Sequence, residues 1–478
     1  MNRSDLGYHP ALMTDMYHPD SAYVSWRVGK NGMTTFDLYA RQAPFGGAFH
    51  LVAGLEMALE YVREFHYTDE DLSFLAQIRD YDPGFLEMLR KLRFSGEILA
   101  MPEGSVAFPN EPLLRVTAPF REAILLESGL LQAMNFATLV ATKAARITWA
   151  ARGRPVAEFA LRRAHEPFAV TRSSRIGGFT STSFLGAAHR YRLLATGTVP
   201  HALTQIFDEE IDSFEAVAAT FNRYTLLLDT YDPRRAIHIA VEVARKYRDK
   251  LGHSLVGVRL DSGDLLNDSR YVRAVLDEAG LSDVRVLASG DLDEFLIVKL
   301  LDAGAPIDVF GVGTSVGIAA GSTEHGVEGG ALGGVYKAVQ YVDERGVSFP
   351  KMKVAGEKST WPGIKEVWRI GKFDADIIQL AEEPKPSPDA ERLLKPVVLD
   401  GEVVPGSLPP LSEIWELAQH NLRTLPECYR ELNPTSPYPV HFSERLLHLR
   451  ESIMVAQVNG GQVEAQPTTD DTSEESVV

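Results

Sequence analysis

The sequence predicts an α/β fold whose central unit is a (β/α) barrel, complete or incomplete. The main observation is a series of strand-like runs that begins near residue 155, with starts spaced by about 25 to 40 residues. Most gaps between the runs hold a helical segment, such as 233–252 or 293–304, and this alternation is typical of βαβ units in a parallel sheet. About seven units in under 200 residues favour a barrel, with a doubly wound open sheet as the main alternative. The runs are 154–163, 193–203, 224–232, 255–264, 284–293, 307–314 and 333–341.

The chain before the barrel predicts an arm followed by an α/β domain, which together occupy residues 1–140. Residues 1–30 carry apolar side chains at rough helical spacing, and residues 50–65 show the same spacing. The segment 34–44 alternates like a strand, and 96–119 is typical of short strands broken by turns.

The chain after residue 140 divides into three parts. We assign residues 141–345 to the barrel and the irregular, proline-containing residues 346–455 to a C-terminal region. Residues 456–478 are polar and acidic and contain neither Lys nor Arg, so we predict a disordered tail.

The composition is that of a globular protein with an acidic balance. The 478 residues include 48 Lys and Arg against 65 Asp and Glu, a net charge of −17. Such a field repels polyanions, so we expect no binding to nucleic acid or to anionic membranes. The single cysteine, Cys428, excludes an internal disulfide, and the most apolar stretch, 123–142, is too polar to span a membrane. With no apolar signal-peptide core near the start, we expect a soluble, cytoplasmic protein.

The carboxyl ends of the predicted strands supply the candidate site, because the active site of a (β/α) barrel lies there. Arginines pair with oxyanions, glycine-rich turns approach phosphates, and carboxylates bind hydroxyls, a metal or a developing positive charge. The set therefore predicts a ligand that carries both phosphate and sugar. In strand order, it comprises Phe159, Arg162 and Arg163; Gly197, Thr198 and His201; Asp229; Arg259, Asp261, Ser262, Gly263 and Asp264; Ser289, Gly290 and Asp291; and Gly311, Val312, Gly313 and Thr314.

Each candidate also has a structural interpretation. His201 could be an ordinary structural histidine, Phe159 a core residue, and Asp229 the N-cap of the following helix. The segment 311–314 also fits a tight βα turn. Asp-Ser-Gly-Asp at 261–264, directly after an apolar strand, is the stronger signal, and the joint pattern on successive strands favours a site.

Ten short segments, each moderately specific for one protein family, follow one another along almost the whole chain except the acidic tail. They are LMTDMY (12–17), RQAPFGG (41–47), ATKAARI (141–147), EFALRRA (158–164), IGGF (176–179), ATGTVPH (195–201), VRLDSGDL (258–265), DVFGVGT (308–314), ALGGVYK (331–337) and EKSTWPGIKEVWR (357–369). In this order and spacing the chain resembles the nicotinate phosphoribosyltransferase family of type II phosphoribosyltransferases. The resemblance implies an irregular, incomplete (β/α) barrel plus an N-terminal α/β domain that the C-terminal region rejoins. It also implies a homodimer with active sites at the subunit interface.

The resemblance implies a reaction as well. Nicotinate and phosphoribosyl pyrophosphate would give nicotinate mononucleotide and pyrophosphate, in a salvage route to NAD. ATP hydrolysis would be coupled to the transfer through a phosphorylated histidine. From the chemistry we expect Mg²⁺ on the leaving pyrophosphate and carboxylates beside the oxocarbenium-like ribosyl centre.

Catalytic roles are assigned to three residues, two of them, His201 and Asp261, by the resemblance and Asp229 by the chemistry. His201, in Gly-Thr-Val-Pro-His, corresponds to the phosphorylated histidine. Asp261 corresponds to the substrate-contacting aspartate of the family's Arg-x-Asp-Ser-Gly-Asp motif, and Asp229 is the second candidate carboxylate.

Binding roles carry over to the remaining candidates. Phe159 corresponds to an aromatic residue that stacks on the pyridine ring, and Arg162 and Arg259 correspond to anion-binding arginines. Tyr17 corresponds to a tyrosine that reaches into the neighbouring subunit's site, and Ser183 is assigned to substrate binding. The loops around the ribose phosphate are Ser289, Gly290, Gly313 and Thr314.

The sequence departs from the family pattern near the site. Ala202 follows His201 where the family usually has Ser, and Gly290 stands where it often has Asn. The segment 180–184 contains no acidic residue, whereas the nicotinamide enzyme places its amide-binding aspartate there, which favours nicotinate. Three alternatives stay open: a nicotinamide phosphoribosyltransferase, a non-catalytic nucleotide-binding homologue, and a barrel lyase with Lys337 on the seventh strand as its Schiff-base lysine.

Overall fold

Two seven-stranded sheets organise the protein, and the computed structural model describes residues 9–458. The strands are β1 Met33–Ala40, β2 His50–Leu51, β3 Glu97–Ala100, β4 Val106–Ala107, β5 Leu114–Pro119, β6 Val156–Glu158, β7 Ser181–Thr182, β8 Leu194–Ala195, β9 Arg223–Leu227, β10 Ser254–Leu260, β11 Arg285–Ala288, β12 Val309–Val312, β13 Gly334–Val342, β14 Ser348–Pro350, β15 Lys365–Ile370, β16 Ala375–Leu380, β17 Glu391–Arg392, β18 Lys395–Leu399, β19 Glu402–Val403 and β20 Val440–Phe442. The helices are α1 Tyr17–Arg27, α2 Leu55–Glu64, α3 Asp69–Ile78, α4 Pro83–Lys91, α5 Phe120–Leu125, α6 Glu127–Ala150, α7 Pro167–Ile176, α8 Leu185–Tyr191, α9 His201–Gln205, α10 Glu210–Thr220, α11 Pro233–Leu251, α12 Leu265–Glu278, α13 Glu294–Asp302, α14 Thr314–Gly317, α15 Leu411–Thr424, α16 Glu427–Arg430 and α17 Glu444–Val458.

The second sheet is a curled parallel sheet with the strand order β8-β7-β6-β12-β11-β10-β9. All pairs of neighbouring strands in this sheet are parallel. The last of these strands in the sequence, β12, pairs with the first, β6, so the strands follow one another around the curl in chain order, as in a barrel. Strands β8 and β9 are its two edges and do not hydrogen-bond to each other. The predicted incomplete (β/α) barrel is therefore confirmed, with its opening between β8 and β9.

Local sequence explains why the barrel units form. In β10 the apolar side chains of Val258 and Leu260 are fully buried. The preceding helix α11 begins at an N-cap aspartate, Asp232, with Pro233 in its first turn, and ends at Gly252 in the left-handed conformation that favours glycine. Its buried face packs against the barrel strands in one continuous core.

The prediction that residues 333–341 form a strand of the barrel is wrong. Residues 333–341 fall in β13, which pairs antiparallel with β1 in the first sheet. Its buried side chains, among them Tyr336 and Val339, are interspersed with polar ones, a pattern typical of antiparallel sheets rather than of a strand buried on both faces. The missing barrel strand is β7, whose two polar residues, Ser181 and Thr182, form no recognisable strand pattern.

The first sheet is antiparallel, with the order β14-β13-β1-β5-β3-β18-β19. It combines strands from the start of the chain with strands β18 and β19 from the C-terminal region. The long helix α6 links this sheet to the barrel, because its buried residues contribute to the cores on both sides. Lys143 of α6 forms a buried ion pair with Glu294 of α13, with Nζ 2.6 Å from Oε2.

The predicted disordered tail, 456–478, begins inside α17, which runs to Val458. The rest of the tail and residues 1–8 of the arm lie outside the described residues. Within residues 9–458, no helix combines the length and apolar character needed to cross a membrane.

Candidate active site

Arg259 lies at the centre of the candidate site, near the carboxyl end of β10. Its guanidinium donates through Nε to Ser289 Oγ at 2.7 Å, through Nη1 to Thr198 Oγ1 at 2.8 Å and through Nη2 to Asp261 Oδ1 at 2.5 Å. These contacts use three of the five N–H donors of an arginine. The side chain is thus held in one orientation and keeps donors for an anionic ligand.

Asp261 connects Arg259 to His201. Its Oδ1 atom also accepts a hydrogen bond from Ser289 Oγ at 2.5 Å, and its Oδ2 atom lies 3.8 Å from His201 Nε2. Burial by itself would raise the pKa of Asp261, but the Ser289 hydroxyl and the Arg259 guanidinium lower it overall. The carboxyl group is therefore ionised at neutral pH, as a group that stabilises positive charge must be.

Asp229 supports the loop that carries Asp261. Its Oδ2 atom accepts hydrogen bonds from the Asp261 backbone N–H at 2.9 Å and from Ser262 Oγ at 2.6 Å. The cap of α11 is Asp232, which accepts from the Arg234 N–H at 2.9 Å, so the alternative interpretation of Asp229 as an N-cap is wrong. The Oδ1 atom of Asp229 is buried and has no hydrogen-bond partner among residues 9–458.

His201 begins α9, on the loop that follows edge strand β8. Its Nδ1 atom lies 3.1 Å from Thr230 Oγ1, and its side chain is 37% exposed. The imidazole is therefore held by a neighbour and is still open to a ligand from solvent.

Phe159 forms a half-buried wall of the site directly after β6. A Cβ atom added to Gly311 would lie 2.4 Å from the Phe159 ring, so the glycine makes the space that the ring occupies. The guanidinium carbon of Arg259 lies 5.6 Å from the centre of that ring. An aromatic face next to an arginine suits a planar, anionic ring.

The glycine-containing loops after β11 and β12 lie close to Asp261 and Phe159. A Cβ atom on Gly290 would lie 1.8 Å from the Asp261 carbonyl oxygen, and one on Gly313 would lie 3.1 Å from the Phe159 carbonyl oxygen. The hydroxyl of Thr314 accepts a hydrogen bond from Arg163 Nη1 at 2.9 Å.

Three predicted site residues stand apart from this connected set. Arg162 is exposed on the loop after β6. Ser183 follows β7 and donates its backbone N–H to the Glu158 carbonyl at 2.9 Å. Tyr17 begins α1 beside α5 and is 54% exposed. The roles assigned to these three residues, and to the connected set, stay predictions.

The structure adds Thr230 as a contact of His201, and it shows that the predicted residues Arg163 and Thr198 hydrogen-bond to Thr314 and Arg259. The sequence pattern does mark Thr198 and Arg163, since both lie at predicted strand ends. Thr230 has only a weak signal, its position next to Asp229 after β9.

The described part of the chain contains no group of three or more His, Cys, Asp or Glu side chains placed to hold a metal ion. Mg²⁺ is usually bound by one or two carboxylates together with substrate phosphates. The ionised Asp261 and the unpartnered Oδ1 atom of Asp229 fit that kind of site.

Comparison with known proteins places these observations in a family. Residues 12–135 match the nicotinate phosphoribosyltransferase (NAPRTase) N-terminal domain, and residues 387–450 match the corresponding C-terminal domain. The chain is 37% identical over 465 residues to the nicotinate phosphoribosyltransferase of Bacillus subtilis (91% of this chain, 93% of that protein). It is 33% identical to that of Homo sapiens over 536 residues (93% and 97%).

Solved structures agree with the sequence comparison. The crystal structure of human nicotinic acid phosphoribosyltransferase matches with a TM-score of 0.80 and 31% identity, covering 92% of this chain and 99% of that one. The structure of nicotinate-nucleotide pyrophosphorylase from Pyrococcus furiosus has the same fold, with a TM-score of 0.69 at 23% identity over 87% of this chain and 95% of that one.

Proposed function

The chain belongs to the nicotinate phosphoribosyltransferase family, and we propose on that premise that it transfers phosphoribosyl from phosphoribosyl pyrophosphate to nicotinate. The observation that carries the proposal is the hydrogen-bonded pair of Arg259 and Asp261, with His201 3.8 Å from Asp261 and Phe159 beside Arg259, at the carboxyl ends of the barrel strands. It offers a cation, an ionised carboxylate, a nucleophile and an aromatic wall in one place. The products are nicotinate mononucleotide and pyrophosphate, as in salvage of the pyridine ring toward NAD.

Ring recognition rests on Phe159 and the arginines near it. The pyridine ring stacks on the half-buried ring of Phe159, and a guanidinium from Arg259 or Arg162 pairs with its carboxylate. No carboxylate in the segment 180–184 is available to accept from an amide N–H. The nicotinate ion therefore fits better than nicotinamide.

The transfer replaces one bond at the anomeric carbon by another. The bond from C1 of the ribose to the pyrophosphate oxygen breaks, and the ring nitrogen of nicotinate forms a bond to C1. Positive charge develops on the ribosyl group between these events, and the ionised Asp261 is placed to stabilise it. Asp229 and Asp261 would hold Mg²⁺ together with the pyrophosphate, and the ion would supply neutralisation of the leaving group.

Energy coupling is assigned to His201. An imidazole nitrogen of His201 forms a bond to the γ-phosphorus of ATP, the bond from that phosphorus to the bridging oxygen breaks, and ADP leaves. Water later takes the phosphoryl group from the imidazole, which restores the histidine and releases phosphate. The 37% exposure of the His201 side chain supports this role, since ATP must reach it.

A homodimer would bring Tyr17 to a site. Tyr17, Val24 and Val28 of α1 are each more than half exposed, and they line a groove of about 620 Å³ against strand β13. At the open side of the barrel, Leu194 and Ile206 are exposed as well. We propose that a second copy of the chain covers these apolar surfaces, which places Tyr17 next to the partner's site. The single cysteine, which permits no internal disulfide, supports a cytoplasmic location.

One assay tests the proposed function. Purified protein with phosphoribosyl pyrophosphate and Mg²⁺ should form nicotinate mononucleotide much faster than nicotinamide mononucleotide, and ATP should stimulate the reaction. His201→Ala should remove the ATP stimulation and leave a slower transfer. Equal or reversed ring preference would favour the nicotinamide enzyme, and no product with either ring would favour the non-catalytic homologue.

A further inference from the structure

We propose that Thr230 is a positioning residue that fixes the orientation of the His201 imidazole for phosphoryl transfer. The inference rests on the proposed ATP coupling through His201. It goes beyond the roles assigned above because Thr230 has no role in that scheme: it binds neither the pyridine ring of nicotinate nor the ribose.

The contact that carries the proposal joins the start of helix α9 to the loop between β9 and α11. Thr230 Oγ1, on the loop between β9 and α11, lies 3.1 Å from His201 Nδ1. The other ring nitrogen, Nε2, faces Asp261 Oδ2 at 3.8 Å, which is too long for a hydrogen bond. Thr230 is therefore the hydrogen-bond partner that sets the rotation of the ring, and Asp261 contributes only a charge at a distance.

Thr230 is itself held firmly. Its predecessor Asp229 accepts hydrogen bonds from the Asp261 N–H and from Ser262, on the neighbouring β10 loop. Two residues after Thr230, Asp232 caps the first turn of α11. The backbone that carries the Thr230 hydroxyl is thus held between a barrel strand and a capped helix, whereas His201 lies on a short helix after an edge strand.

This difference explains why the imidazole needs a partner. A half-exposed histidine at the start of a five-residue helix can rotate about its side-chain bonds. A hydroxyl can donate to or accept from a ring nitrogen, so Thr230 can hold the ring in its neutral form and after phosphorylation. Without it, the ring would spend less time in the orientation that attacks phosphorus.

The test compares Thr230→Val, which keeps the shape but loses the hydroxyl, with Thr230→Ser, which restores it. Thr220→Val is the matched control, because Thr220 is an exposed threonine at the end of α10 whose hydroxyl bonds only within its own helix. Two quantities are measured: the rate of acid-labile labelling by γ-labelled ATP, and the ratio of the transfer rates with and without ATP. We expect Thr230→Val to lower both by about five- to tenfold, the equivalent of one lost hydrogen bond, and Thr230→Ser to recover most of the loss.

The outcomes separate this inference from the function it rests on. If the wild-type protein takes no label, the proposed coupling is wrong and the inference falls with it. If the wild type is labelled and Thr230→Val is labelled equally fast, the coupling stands and the positioning role is wrong. If Thr230→Val lowers the rates with and without ATP by the same factor, or if Thr220→Val has the same effect, Thr230 has a general structural role and the inference is also overturned.

Discussion

The backbone of Gly290 lies directly against the carbonyl group of Asp261: a Cβ atom at position 290 would stand 1.8 Å from the carbonyl oxygen. The residue also has a φ of +89°, in the region that favours glycine. This contact brings the β11 loop, with Ser289, close enough to hold the Asp261 carboxylate. The glycine that departs from the family pattern is thus required by the arrangement of the two loops.

Gly290→Ala should therefore displace the Asp261 loop and lower kcat/KM by about a hundredfold, as expected when reacting groups move by about an ångström. Gly280→Ala is the matched control, because Gly280 has a φ of +74° but open space around it. An alanine in the left-handed conformation costs about 1–2 kcal/mol, so thermal unfolding should show that both variants lose at least this much free energy of unfolding. Equal activity of the two variants would contradict the importance of the close approach.

Gly311→Ala should push the Phe159 ring out of its position, since the new methyl group would lie 2.4 Å from it. If that ring stacks on nicotinate, KM for nicotinate should rise by about tenfold, in line with the loss of one aromatic contact, and KM for phosphoribosyl pyrophosphate should change little. Gly257→Ala, in β10, is the control, because its new methyl meets the flexible end of Leu287 at 2.9 Å. A rise confined to KM for phosphoribosyl pyrophosphate would exclude Phe159 as the ring platform.

Arg259→Lys should raise KM for at least one substrate by about tenfold to a few hundredfold. Lysine keeps the charge but cannot serve Ser289, Thr198 and Asp261 at the same time as a ligand, and a lost charge-assisted hydrogen bond costs about 1.5–3 kcal/mol. Steady-state kinetics in both substrates measure the effect and identify which anion Arg259 binds. Arg248→Lys, on the exposed face of α11, should behave like the wild type.

The sequence predicts the barrel well because its units leave strong local patterns. An apolar strand such as β10 followed by a capped amphipathic helix is visible in any window of that length. It fails at β7, where two polar residues pair only because β6 lies beside them, and at β13, whose pattern does not say which sheet it joins. Pairing is a property of the tertiary structure, which a local pattern does not contain.

The candidate site divides in the same way. Arg259 and Asp261 are predictable because a charged motif directly follows an apolar strand, and their contact is local. The contact between His201 and Thr230 joins residues 29 apart, one at the start of α9 and one on the loop after β9, so it has no signature in either segment. The buried, unpartnered Oδ1 atom of Asp229 likewise emerges only when the loops are assembled.

A buried carboxyl group far along the chain from the site predicts a pH-dependent stability. Glu111 is fully buried and accepts from the Phe108 N–H at 2.8 Å. Burial first, and then the nearby carboxylate of Asp376, raise the pKa of Glu111 well above its ordinary value, against a smaller opposing effect of Arg369. Asp376 is already paired with Arg369 at 2.6 Å and accepts from Tyr438 at 3.0 Å, so the single arginine is occupied.

Folded Glu111 thus keeps its proton at pH values where the unfolded chain has lost it, and the free energy of unfolding falls as pH rises from the ordinary glutamate pKa through the raised one. Glu111→Gln should remove this slope. At pH 8 the variant should be more stable than the wild type, because it does not have to hold in the folded state a proton that the unfolded wild-type chain releases, and near pH 4 the difference should vanish. Urea unfolding at several pH values measures it, with the exposed Glu413→Gln as the control. Parallel pH curves for wild type and Glu111→Gln would show that Glu111 is ionised in the folded protein.

Co-expression of a Tyr17 variant with an Arg259 variant, each expected to have reduced activity by itself, tests whether Tyr17 contributes to the site of a neighbouring subunit. If Tyr17 reaches the partner's site, each site of a Tyr17→Ala homodimer would lack that tyrosine, and each site of an Arg259→Ala homodimer would lack its own arginine. A hybrid dimer has one site with both residues, since the Tyr17→Ala chain supplies Arg259 and the Arg259→Ala chain supplies Tyr17. Co-expression of the two should therefore restore up to about a quarter of wild-type activity, because half of randomly assembled dimers are hybrids with one intact site.

The matched control is co-expression of Arg259→Ala with Asp261→Asn, since both residues lie on the same barrel, joined by the Nη2 to Oδ1 contact at 2.5 Å. No hybrid of these two variants contains an intact site, so activity should stay at the level of the separate variants. Recovery in the first pair and none in the second would place Tyr17 across the interface. No recovery in the first pair, with hybrid dimers demonstrated by tandem purification, would mean that Tyr17 acts within its own chain or not at all, and that the exposed face of α1 has another purpose.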